Sequence, residues 1–168
     1  MTALPIAAFL FFVPASVPQQ TLAPPPPPAF EYSDGYRVRA KIHRIGSFAM
    51  LPLAATEFYL GQSIYTTPTD GKKGAHVAVG ATIGGLFAVN TVTGVWNLVE
   101  SRHDPNGRTK RWIHALLMMT ADAGFVATFA AAPDDDSSFS NNRSKHRTLA
   151  LTSLAVGTVG YLVMLLGK

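Results

Sequence analysis

The chain has 168 residues, room for one domain, and only 14% of them are charged against the ~25% usual in soluble proteins. Hydrophobic residues make up 48%, and mean hydropathy is positive at +0.19. The absence of cysteine excludes disulfides, cysteine-ligated zinc, iron–sulfur clusters and covalently attached haem.

A net charge of +4 and a pI near 9.6 would suit nucleic acid. The basic residues stand at segment ends, however, as lysine and arginine do at lipid headgroups, and no basic stripe or aromatic-interleaved patch supports nucleic-acid binding. Charge is unevenly spread. Ile45–Thr69 holds one formal charge, Glu57; Gly74–Val99 holds none; Trp112–Pro133 holds Asp122; Thr148–Gly167 holds none. Each stretch reaches the ~20 residues that a helix needs to cross a bilayer.

Residues 1–36 stand apart from the rest. Ala3–Val17 is short and apolar, broken by Pro5 and Pro14, and has the character of a secretory signal or a loose anchor without the usual basic residue before it. Pro24–Pro28 is a proline run that predicts an extended polyproline spacer; a proline-motif ligand is the functional alternative.

Four membrane helices are predicted over about 40–65, 75–100, 110–132 and 146–166, with Pro52 set to kink the first. Polar connections, Thr66–Gly74, Ser101–Thr109 and Pro133–Lys145, join them. Short connections predict an all-α, integral membrane up-down-up-down four-helix bundle over residues 37–168. Gly80/Gly84 and Ser153/Gly157 offer close helix approach. The side shared by the first and third helix starts carries nine basic residues and the other side five. That balance favours a cytoplasmic N-terminus in a bacterial-type inner membrane, whereas a cleaved signal requires the reverse.

Four of the five histidines occupy equivalent places. His43, His76, His114 and His146 each fall in or beside the first turn of a predicted helix, at nearly even intervals. Because successive helices reverse direction, His43 and His114 share one face of the membrane, and His76 and His146 the other. A b-type haem needs two neutral imidazoles on opposite sides of its iron, within apolar walls. Two such groups at levels ~20 Å apart would form an electron path across the bilayer. Small residues follow on the histidine faces, among them Gly46 and Ser47 below His43, Gly80 and Gly84 below His76, and Ser153, Gly157 and Gly160 below His146. The bland alternative places each histidine among headgroups beside Lys41, Arg44, Arg111 and Arg147.

The sequence is similar in pattern to the cytochrome b561 family of di-haem membrane electron carriers. The likeness rests on Lys41-Ile-His43-Arg-Ile-Gly, Lys73-Gly-Ala-His76-Val-Ala-Val-Gly, Trp112-Ile-His114 and Lys145-His146-Arg, and it covers about Lys41–Leu166. It implies haem iron ligation by His43 with His114 and by His76 with His146, two non-covalent haems b, and oxidoreductase activity from a quinol or ascorbate-like donor to an acceptor. Many members add a helix at each end of this core. Here Ala3–Val17 is the sole further apolar stretch, and no substrate-binding motif has a counterpart.

Glu57 and Asp122 carry charge where ionisation is expensive unless paired or solvated. Glu57 returns to the face of His43 and falls near the His76/His146 level, as a proton acceptor beside a donor site or as an acid bonded to Asn90, Thr91 or Tyr65. For Asp122 a structural hydrogen bond to a threonine of a neighbouring helix is expected. His103 reads as solvated, and Asp134–Asp136 as a polar loop able to dock a soluble partner. Trp96, Tyr65, Trp112 and Tyr161 read as an interfacial aromatic belt. The leading expectation is a di-haem b-type cytochrome. A haem-free accessory subunit of a larger membrane complex, or a proton-relaying transporter component using Glu57 and Asp122, are the rivals.

Overall fold

A computed structural model describes residues 29–133 and 139–166. The expectations for Ala3–Val17, Pro24–Pro28 and Asp134–Asp136 fall outside those residues. The described chain is helical: α1 Asp34–Thr66, α2 Asp70–Glu100, α3 Arg108–Ala130 and α4 Phe139–Leu166, with a short 3-10 turn at Ser101–His103.

Three of the helices begin five to seven residues earlier than predicted. Ser33 and Thr69 explain two of these starts: each is in extended backbone, and its hydroxyl accepts from the backbone N–H three residues on, Tyr36 or Lys72. Asp34 and Asp70 then complement the positive end of the helix dipole. The first connection thereby shrinks to Thr67–Thr69, with Pro68 barring continuation. His43, His76, His114 and His146 accordingly lie roughly two turns inside their helices, which corrects the expected first-turn placement.

The second connection turns as its residues dictate. The Asn106 N–H donates to Asp104 Oδ1 at 2.9 Å, and Gly107 takes the left-handed conformation at φ 66° before α3. Arg111 fastens that loop by donating to the carbonyls of Ser101 and Asp104 at 3.1 and 2.8 Å.

Among the described residues three helices, in α2, α3 and α4, are long and apolar enough to cross a membrane. Helix α1 has the length but not the apolarity, since Pro52, Glu57 and Gln62 dilute its centre. The distribution of side chains is that of a chain built for lipid. Asn90, Thr93, Asn97, Thr128 and Ser153 are buried, while Val77, Leu116 and Val126 are 65–69% exposed.

Helix α1 packs along α2, and α3 along α4; α2 touches α3 more lightly. Within each pair the neighbours run in opposite order. Ser33 meets Glu100 and His43 meets Asn90, while Glu57 meets His76. Likewise His114 meets Gly160, Gly124 meets Ser153, and Thr128 meets His146. Gly124 against Ser153 and Gly157 against the Cβ of Ala121 permit the close α3–α4 approach, as the small residues predicted. Gly80 admits the Glu57 carboxyl of α1, and Gly80 and Gly84 both receive the ring of Phe129 from α3.

Candidate functional site

Between the two helix pairs lies a cavity of about 820 Å³. All four helical histidines line it, together with Glu57, Ile83, Phe87, Phe125 and Phe129. Its volume falls in the range of small-molecule pockets.

The structure brings the histidines together in the expected twos. The imidazole centres of His43 and His114 are 6.1 Å apart with ring planes at 81°; those of His76 and His146 are 6.0 Å apart at 75°. One metal atom between two imidazoles asks for two metal–nitrogen bonds of about 2.0 Å, plus about 1.2 Å from each nitrogen to its ring centre, or roughly 6.4 Å in all. Both pairs stand within half an ångström of that figure.

Main-chain carbonyls hold three of the rings by Nδ1. His43 meets the Asn90 carbonyl at 2.9 Å, His114 the Gly160 carbonyl at 2.8 Å, and His146 the Thr128 carbonyl at 2.8 Å. Each carbonyl belongs to the helix packed beside the histidine. Occupation of Nδ1 fixes the tautomer and leaves Nε2 with its lone pair, as a ligating histidine requires. Gly94 makes one of these contacts feasible: a Cβ there would come within 3.0 Å of His43 Cε1.

His76 is held differently. Its Nδ1 is buried and meets no aligned acceptor among the described residues, and Glu57 Oε1 stands 3.0 Å off, at ion-pair distance. The second carboxylate oxygen of Glu57 is buried without a partner among the described residues. Glu57 therefore sits at the His76 level as expected, but its neighbour is His76 rather than Asn90, Thr91 or Tyr65.

The two levels are well separated. Along α2, the residues beside His43 (Asn90 to Gly94) lie 14 to 18 positions beyond His76, roughly 21–27 Å by helix rise. The Phe87 and Phe125 rings, 4.9 Å apart, belong to the intervening stretch.

The ends differ in chemistry. Beyond His43, Arg39 binds Glu100 and donates to Asn97 Oδ1 at 2.9 Å, and Tyr32 donates to Asp104. Asp104 is buried, and the Tyr32 hydroxyl, the Asn106 N–H and Arg111 hold its carboxyl below the ordinary range against the opposing effect of burial. At the other end Arg143 donates to the Ile64 and Tyr65 carbonyls at 3.2 and 3.1 Å, and Arg143 and Arg147 each lie 5.0 Å from the Tyr65 ring centre. Lys73, Arg143 and Arg147 line the cavity there, giving it a basic mouth.

The other sequence-derived candidates fall outside the cluster. Asp122 accepts from the Thr91 hydroxyl of α2, the threonine partner expected for it. His103 is exposed. Trp96, Tyr65 and Trp112 are exposed as a belt requires, while Tyr161 turns into the cavity wall. The contributions of the Asn90, Thr128 and Gly160 carbonyls and of Gly94 are absent from the sequence reading, because a backbone acceptor leaves no residue-type signal.

No group of three or more His, Cys, Asp or Glu side chains able to hold a metal ion occurs among the described residues. The arrangement on hand is two separate pairs of histidines. No family model, curated protein or solved structure matches the chain.

Proposed function

We propose that the chain is a membrane-embedded b-type cytochrome, similar to the cytochrome b561 family, that carries single electrons between a reduced donor and an acceptor. His43 with His114, and His76 with His146, would be the axial ligands of two non-covalent haems b. The observation that carries this reading is the pair of imidazole couples at 6.1 and 6.0 Å, with Nδ1 of three rings bound to backbone carbonyls. Two ordinary headgroup histidines have no reason to adopt that separation, and still less to do so twice.

The residues present fit such a group. Gly94 clears the space that His43 turns into, Ile83, Phe87, Phe125 and Phe129 supply apolar walls, and Lys73, Arg143 and Arg147 offer cations at one mouth for carboxylates. Haem bound there supplies one reversible electron per iron. The protein's own share is to orient the imidazoles, fix the tautomer of three of them through Nδ1, and exclude water with the aromatic walls.

In this reading all four helices, α1 included, cross an inner membrane of bacterial type as an up-down-up-down bundle. The polar residues of α1 face the cavity: Glu57 and Gln62 both line it. The donor is a quinol or an ascorbate-like reductant.

The test is the pigment. Protein purified from haem-replete cells should show a b-type reduced-minus-oxidised spectrum and about two haems per chain. A colourless, folded preparation from such cells rejects the reading and favours an accessory subunit of a larger membrane complex.

A further inference from the structure

The two imidazole couples are chemically unequal. In the His43/His114 couple, both Nδ1 atoms meet neutral amide carbonyls. In the other couple His146 does the same with Thr128, but the polar neighbour of His76 Nδ1 is the Glu57 carboxyl, 3.0 Å away. Gly80 makes room for that carboxyl: a Cβ at this position would stand 2.9 Å from Glu57 Oε1.

A carboxylate is a stronger acceptor than an amide carbonyl. Placed behind a ligating imidazole it raises the basicity of the ligand, and an electron-richer ligand stabilises the more positive oxidation state of the metal. Burial strengthens the effect, because neither oxygen of this carboxyl is spent on another partner among the described residues.

Resting on the di-haem reading above, we propose that Glu57 is a positioning residue that makes the His76/His146 centre the lower-potential member of the pair. It acts through His76. Its work is to set an order of potentials along the path between the two levels, so that the two centres differ although all four ligands are the same residue type.

The experiment is an equilibrium redox titration of the haem-loaded protein at one fixed pH, followed at the visible bands. Wild type should resolve two one-electron couples. Glu57→Gln should shift the lower couple upward, changing its oxidised-to-reduced ratio at a given potential by at least about tenfold, equivalent to ~59 mV for one electron, and leave the higher couple in place. His43→Ala, which keeps the His76/His146 couple, identifies which band moves. Both haems retained with neither couple moved overturns the proposal, as does an equal shift of both. If Glu57→Gln loses that haem, Glu57→Asp decides, since it keeps a carboxylate but draws it back. A smaller upward shift supports the proposal; an unmoved couple, or loss of the haem there too, overturns it. A wild-type protein without haem overturns the di-haem reading itself and this proposal with it.

Discussion

Gly94 offers a way to disturb one imidazole without altering any ligand. In Gly94→Ala the new Cβ would lie 3.0 Å from His43 Cε1 and 3.3 Å from Nδ1, where ordinary contacts are about 3.5–4.0 Å. The ring must retreat by roughly half an ångström. That retreat opens the 2.9 Å contact between Nδ1 and the Asn90 carbonyl toward the edge of hydrogen bonding. A bond of this kind is worth ~1 kcal/mol, and an off-rotamer imidazole adds a comparable amount, so the His43/His114 site should bind haem about thirtyfold more weakly. Alanine meanwhile raises helix propensity by ~1 kcal/mol, so the fold itself should not weaken. The assay is haem titration into the apoprotein, read as two separate affinities, beside Gly85→Ala as control; a Cβ at Gly85 meets nothing within 4 Å. Weakening at one site alone is the expected result. Two wild-type affinities in Gly94→Ala would refute the reasoning.

Removal of one ligand should empty one site: His43→Ala and His114→Ala each retain about one haem per chain with matching spectra, and His76→Ala and His146→Ala form the complementary set. A variant pair that loses both groups, or neither, contradicts the pairing. Thr91→Val should destabilise the protein by about 1–3 kcal/mol in detergent, because Asp122 is left with neither oxygen bonded among the described residues. Thr91→Val with Asp122→Leu should recover most of the loss, and an unaffected single variant would show the bond to be idle. At the end near Asp104 the carboxyl is held below its ordinary value, so its contribution is present above that value and lost as pH falls through the lower folded value. Tyr32 should therefore stay protected from exchange and proteolysis at neutral pH and be released under strong acid, whereas Tyr32→Phe should flatten the dependence.

Much of the fold is legible in the sequence, for identifiable reasons. Stretches with no charge, or with Asp122 alone, mark α2, α3 and α4, and Asp104-Pro-Asn-Gly107 marks a turn through residues that favour one. The partnership of alternate histidines follows from helices that reverse direction, and the Thr91–Asp122 bond from the demand of a carboxyl for a donor in an apolar setting. Helix starts are less legible. Hydropathy reports where lipid begins, while Ser33 and Thr69 begin helix in polar surroundings by capping backbone donors. The anchors behind the imidazoles are least legible. Three are backbone carbonyls, supplied by any residue, and the fourth depends on the rotation of α1 that turns Glu57 toward His76.

The most direct measurement is the low-temperature electron paramagnetic resonance spectrum of the oxidised, purified protein. Ring planes at 81° and 75° within the two couples predict two strongly anisotropic low-spin ferric signals, the pattern of near-perpendicular bis-imidazole ligation. A high-spin signal, or no ferric haem signal from folded protein, would contradict the claim that each couple grips one iron; rhombic spectra of parallel imidazoles would contradict the ring angles alone.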